Sequence, residues 1–172
     1  MGDWAIRVGS PDDIAALPDV ERESDRLFPE GRLPPDDATY PLDALRASCE
    51  ADLLFVAEIG GRIAGFAFCE PADGRLHLTG LAVHPDFGRR GIGAALVECV
   101  IAGARERGLG GVTLTTFEDL PWNAPFYRRL GFRRIDEGEL SPFLEATLRR
   151  ERAAGMRERV AMLLETRPQA RT

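Results

Sequence analysis

The sequence predicts one mixed α/β (α+β) domain, a mostly antiparallel, twisted sheet with helices on both faces. Three observations predict it. Strand-like runs crowd residues 53–83, separated only by Gly60-Gly61 and the turn "PADG", so they meander antiparallel. Beyond them helical and β-branched segments alternate, which brings in β-α-β crossovers. The 172 residues, 44% hydrophobic and 29% charged, suit a single hydrophobic core, so residues 1–172 are read as one domain.

The elements follow in order. "WAIRV" (4–8) alternates and reads as a strand. Ser10 caps a helix with Pro11 at its first position and acids in its first turn, and Pro18 kinks or splits that helix before Leu27-Phe28. "PEGRLPPDD" is a loop, and "YPLDALRASCEA" is a second helix opening at Pro41. "LLFVAEI" (53–59), "RIAGFAFCE" (62–70) and "RLHLTGLAV" (75–83) are the three strands. The helix from about Gly91 to Arg107 places Ile92, Leu96, Cys99, Val100 and Gly103 on one face and stops at Gly108. "GVTLTTF" is a strand, "NAPFYRRL" a short helix stopped by Gly131, and "FRRI" a strand. An additional helix (141–155) and a final strand "RVAML" (159–163) close the chain, and 167–172 read as a frayed tail.

Composition excludes several classes. A net charge of −6 argues against nucleic-acid and anionic-membrane partners. All 22 basic residues are Arg, which a GC-rich genome explains as well as a function does. Cys49, Cys69 and Cys99 are odd in number and lack the spacing of a disulfide framework or metal site, so no metal is expected. No apolar run approaches a membrane span and no signal-like leader is evident, which predicts a cytoplasmic protein.

The segment "HPDFGRRGIGAALVEC" (84–99) carries the chemistry. A helix N-terminus has unpaired N–H groups and a partial positive charge, and arginines and glycines at its mouth invite an anion. A P-loop would need Gly-Lys-Ser/Thr where Ala94-Ala95 follow; a dinucleotide fingerprint would need Gly or Ala where Leu96 stands. What remains is a strand, a short turn and a helix whose first amides converge on one phosphate group.

At these residues the sequence resembles the GNAT superfamily of N-acetyltransferases. "LHLTGLAVHPDFGRRGIGAALVE" is similar to that family's acetyl-CoA motif: Val83, Pro85, Gly91, Gly93 and Leu96 fit, and Gly88 stands where Gln or Arg is usual. "NAPFYRRLGF" (123–132) resembles the family's later motif, with Asn123 nearer to Tyr127 than is common. The resemblance covers residues 4–165 by element order and about 53–135 by motif. It implies a GNAT fold whose central parallel strands splay apart, and direct acetyl transfer from acetyl-CoA, as co-substrate, to a primary amine of a small molecule or protein.

Residue roles follow from that resemblance. The backbone of Leu81, Ala82 and Val83 would take the pantetheine arm. The amides from Arg89 through Arg90, Gly91, Ile92 and Gly93 to Ala94 would take the pyrophosphate, with charge from Arg89 or Arg90, and Asn123 would assist. Tyr127 would be the general acid that protonates the leaving thiolate; its alternative is a satisfied core tyrosine. His77 occupies the strand position where relatives often carry a base. By alternation His77, Thr79, Leu81 and Val83 share one face; a half-exposed structural histidine is the equal alternative, with Glu70 and Glu118 as fallback bases. The acceptor site would lie among the first two helices and the 28–40 loop, with Phe28, Tyr40 and Trp122 as lining and with acids Glu21, Glu23, Asp25, Glu30, Asp36 and Asp37 suiting a cationic amine. Relatives often form homodimers, and residues 141–165 would either cap the sheet or form such an interface. Two competitors stay open: a non-catalytic acyl-CoA-sensing module on the same fold, and a phosphate-ligand protein unrelated to CoA.

Overall fold

The computed structural model describes residues 3–35 and 38–166; the acids Asp36 and Asp37 and the tail at 167–172 lie outside the described residues. Alternating side chains and a diglycine turn build the first half of the sheet: β1 (Trp4–Val8), β2 (Leu54–Ile59), β3 (Arg62–Ala72) and β4 (Arg75–Val83) pair antiparallel in chain order. β5 (Gly111–Phe117) then runs parallel to β4, as a strand–helix–strand crossover requires. The last strands are β6 (Arg133–Arg134) and β7 (Arg159–Glu165), and the order across the seven-stranded sheet is β1-β2-β3-β4-β5-β7-β6.

The helices fall where their caps and prolines put them. Ser10 opens a 3₁₀ turn (Pro11–Ala16) that runs into α1 (Leu17–Asp25), with Pro18 inside the first turn of α1, where its missing N–H costs no hydrogen bond. α2 (Leu42–Glu50) starts after Pro41, α3 (Ile92–Glu106) after Gly91, α4 (Ala124–Arg129) after Asn123, and α5 (Pro142–Ala153) after Ser141, whose hydroxyl accepts the Leu144 N–H. Among the described residues no helix is long and apolar enough to cross a membrane.

Two layers cover the sheet. α3 and α4 bury Ile92, Leu96, Val97, Val100, Ala124 and Tyr127 on one face against Leu76, Leu78, Val112 and Leu114. On the opposite face α1 and α2 pack on Val56, Phe66, Phe68 and Ala82. α5 covers that same face further along, because Val160 and Met162 of β7 enter the α3–α4 core while Ala161 and Leu163 enter the α5 core. The closing segment is therefore integral to the sheet. β7 inserts between β5 and β6, with seven pairings from Gly111↔Glu165 to Phe117↔Arg159. Several strands differ in length from the pattern's reading: β3 and β7 run two residues further, and β6 shrinks to two residues at the sheet edge.

Candidate active site

The centre of the sheet contains a seam that is half closed and half open. β4 and β5 pair only at Leu76↔Val112 and His77↔Thr113. Beyond that point β4 keeps its bonds to β3 and β5 its bonds to β7, so residues 80–83 and 114–117 diverge with their facing backbone groups unpaired. Buried backbone amides left this way need a ligand or water.

A bulge in β4 sits at the fork. Cys69 of β3 faces Leu78 and Phe68 faces Gly80, leaving Thr79 without a partner. One extra residue reverses the side-chain parity downstream. Leu76 and Leu78 point into the α3 core before the bulge, and Leu81 and Val83 pack against that core after it. This corrects the expectation that His77 shares a face with Leu81 and Val83. His77 points the other way, toward α5. It is only 3% exposed, its Nδ1 lies 3.0 Å from the Thr113 hydroxyl, and its ring meets Phe143 edge-on at 5.0 Å. Burial pushes its pKa down to about 4, so it is neutral, weakly basic and sealed in the closed half of the seam.

Gly80 is required at the fork for a close approach. A Cβ there would lie 2.6 Å from Cζ of Tyr40 and 2.5 Å from Cε1 of Phe68. Tyr40 thereby lies flush on the bulge, its ring 4.8 Å from that of Phe68. The Tyr40 N–H in turn donates to both carboxylate oxygens of Glu21, at 3.0 and 2.9 Å. Glu21 is 5% exposed, and burial, aided by Asp25, pushes its pKa up to about 7; burial also lifts Asp25 to about 6.

At one end of the opening lies the loop before α3. Arg89 and Gly91 both take left-handed conformations, with φ of 59° and 81°. Gly91 suits this turn because it carries no Cβ. Among the described residues the N–H groups of 89–94 find no backbone acceptor; a Cβ at Gly91 would meet nothing within 4 Å, and one at Gly93 would only touch Phe126 and Val83 at 3.6 and 3.8 Å. Alternating backbone handedness followed by a helix N-terminus forms a concave set of donors for an anion. Arg89 and Arg90 are exposed, and the Arg90 guanidinium lies 5.8 Å from the centre of the Phe87 ring. Gly88, at the motif's departure, is extended and donates its N–H to the Pro85 carbonyl.

Tyr127 of α4 approaches from the α3 side. It is 9% exposed and packs on Phe126 and Phe132, and among the described residues its hydroxyl has no hydrogen-bond partner. Burial raises its pKa, which keeps the phenol in its proton-bearing form. Asn123, just before α4, uses its side-chain oxygen within the fold. Its Oδ1 accepts from the Thr116 hydroxyl at 3.0 Å and from the Phe117 N–H at 3.4 Å, pinning the start of α4 to β5. Phe28 and Trp122 do come together, with ring centres 5.8 Å apart, and Phe28 also meets Phe117. Arg32 holds this loop down with a two-pronged bond to Asp119 at 2.5 and 2.9 Å, and its guanidinium lies over Phe117. Of the fallback bases, Glu118 is held in an ion pair with Arg134 at 2.5 Å, and Glu70 is exposed opposite His77 in the closed half.

Two features escaped the sequence reading. Gly80 inside a strand pattern is itself a signal for a bulge. Arg159, by contrast, carries no local signal: it reaches Glu151 at 2.9 Å and lies 4.5 Å over Phe117 only because β7 inserts beside β5.

A fork in a mixed sheet with a set of free amides at one end is a place for an anionic, amide-bearing ligand. The chain belongs to the acetyltransferase (GNAT) family, whose profile matches residues 17–132. Over 83 residues, 46% of this chain, it is 35% identical to the probable N-acetyltransferase camello of Xenopus tropicalis, and the match spans only 38% of that relative's length. Among solved structures it is similar to N-acetylglutamate synthase from Neisseria gonorrhoeae complexed with coenzyme A and N-acetyl-glutamate (TM-score 0.73, 19% identity, 97% of this chain and 36% of that one). It is also similar to the PaiA N-acetyltransferase from Thermoplasma acidophilum in complex with coenzyme A (TM-score 0.73, 17% identity, 96% and 100%) and to the ribosomal-protein-S18-alanine N-acetyltransferase from Escherichia coli (TM-score 0.68, 19% identity, 98% and 99%). At these identities the structural likenesses show the fold.

Proposed function

We propose that the protein transfers the acetyl group of acetyl-CoA to a primary amine of a small molecule or protein. The observation that carries this reading is the open half of the β4–β5 seam, flanked by the free amides of residues 89–94 and the unpartnered Tyr127 hydroxyl. Leu81, Ala82 and Val83 would offer backbone to the amide-bearing pantetheine arm. Arg89, Arg90, Gly91, Ile92, Gly93 and Ala94 would hold the pyrophosphate, each charged hydrogen bond contributing about 1.5–3 kcal/mol. The thioester supplies the activated acetyl group. Tyr127 would donate its proton to the departing sulfur, a role a buried, proton-bearing phenol can fill. Asn123 would act through its free amide nitrogen or only by positioning α4. Phe28 and Trp122 would line the acceptor side, which also carries the acids of α1. A cytoplasmic location and a homodimer belong to the same reading.

Calorimetric titration with acetyl-CoA, CoA and pantetheine, followed by thiol release against an amine panel, tests it. Binding that needs the pyrophosphate, together with thiol release for some amine, supports the enzyme. Absence of acetyl-CoA binding overturns it. Gly88, lacking the side chain usual at the first motif position, favours the second reading of an acyl-CoA sensor, which would bind and show no turnover.

A further inference from the structure

β4 offers no base at the fork: His77 sits in the closed half of the seam, sealed against Thr113 and Phe143, and Thr79 bears no titratable group. The proton acceptor must come from elsewhere if an ammonium substrate is to react. We infer that Glu21 of α1, held by the Tyr40 N–H on the face of the β4 bulge, is the general base of the acetyl transfer. This rests on the acetyltransferase reading above and goes beyond it by naming a residue outside the family's sequence motifs.

The geometry is specific. Glu21 is 95% buried in a helix that packs on β4, an unusual place for a carboxylate with no arginine ion pair among the described residues. Among the described residues both its oxygens share the one Tyr40 N–H, which leaves most of its acceptor capacity unused there. Tyr40 links Glu21 to the fork: its ring rests on Gly80 and its N–H holds the Glu21 carboxylate. Tyr127, a residue only 9% exposed whose hydroxyl has no hydrogen-bond partner among the described residues, approaches the sheet from the α3 side. Asp25, Arg22 and Tyr40 are the charged and titratable groups bearing on Glu21, and a carboxylate poised near neutrality takes a proton from an ammonium far better than an exposed one.

The proton balance closes. Glu21 takes one proton from the ammonium, leaving a neutral amine. The C–N bond forms as the thioester C–S bond breaks, and Tyr127 gives its phenolic proton to the leaving sulfur. The nitrogen's second proton returns to the phenolate through water, and Glu21 releases its proton to solvent, so one proton leaves per turnover.

The test is Glu21→Gln, which is isosteric and still accepts the Tyr40 N–H, assayed by thiol release over a range of pH with acetyl-CoA affinity measured alongside. The expected result is a fall in kcat of about 10²- to 10⁴-fold, an unchanged acetyl-CoA Kd, and loss of the rise in kcat/KM that wild type shows through about pH 7. Wild-type turnover matched by Glu21→Gln, with the same pH profile, overturns the assignment and leaves the acetyltransferase reading standing. Wild type that binds acetyl-CoA and acetylates no amine overturns that reading and the role of Glu21 together. Should the variant fail to fold, the wild-type profile decides: a kcat/KM without a limb near pH 7 also overturns the assignment.

Discussion

The two halves of the β4–β5 seam share strands, neighbours and residue types, yet they do opposite things. In the closed half His77 and Thr113 pair through backbone and side chain and are buried beneath Phe143. In the open half, three residues further along the same strand, the backbone has no partner across the seam. A polar group that finds its partner inside the protein contributes to the fold; one that the fold leaves unpaired is available to a ligand. The bulge at Thr79 separates the two regimes, since it reverses which face each residue of β4 presents.

Perturbing each half should sharpen that contrast. The largest effect is expected at the open half: Tyr127→Phe should lower kcat about 10²- to 10⁴-fold while calorimetry finds acetyl-CoA affinity preserved. Equal turnover would return Tyr127 to the core. At the fork, Gly80→Val should destabilise the domain by at least about 1–3 kcal/mol through overpacking against Tyr40 and Phe68, read from urea denaturation, and it should reduce turnover by displacing Tyr40.

In the closed half, His77→Leu should cost about 1–3 kcal/mol by leaving the buried Thr113 hydroxyl unpaired, with turnover kept. Its pH dependence has a definite sign. The folded-state pKa of His77, about 4, lies below its ordinary 6.5, so its stabilisation is complete above pH 6.5 and is lost as pH falls toward 4. The stability gap between wild type and variant should therefore narrow across that window. Glu21 works oppositely, its raised pKa stabilising below pH 4.5 and fading toward 7, but it is common to both proteins and cancels in the difference. The smallest effect is expected at the rim. Arg89→Ala and Arg90→Ala should each weaken acetyl-CoA about two- to fivefold, less in high salt, because both side chains are exposed and the backbone amides remain.

The sequence alone determined the elements and their order. Ser10, Pro18, Pro41 and Ser141 mark helix starts through their own backbone chemistry, and Gly60-Gly61 marks the hairpin. It also located the amide cradle, because Gly91 and Gly93 act within a single turn of chain. Such signals are legible because their causes lie a few residues apart. Only the tertiary structure decided the rest. Which way His77 points depends on the register of β4 against β3, and a single unpaired residue at Thr79 reverses it. That Asn123 anchors β5, that Arg159 reaches Phe117, and that Glu21 meets the N–H of Tyr40 nineteen residues on all depend on pairings between distant segments. Strand register and helix docking are settled by the collective burial of apolar surface, and no local run of residues encodes that sum.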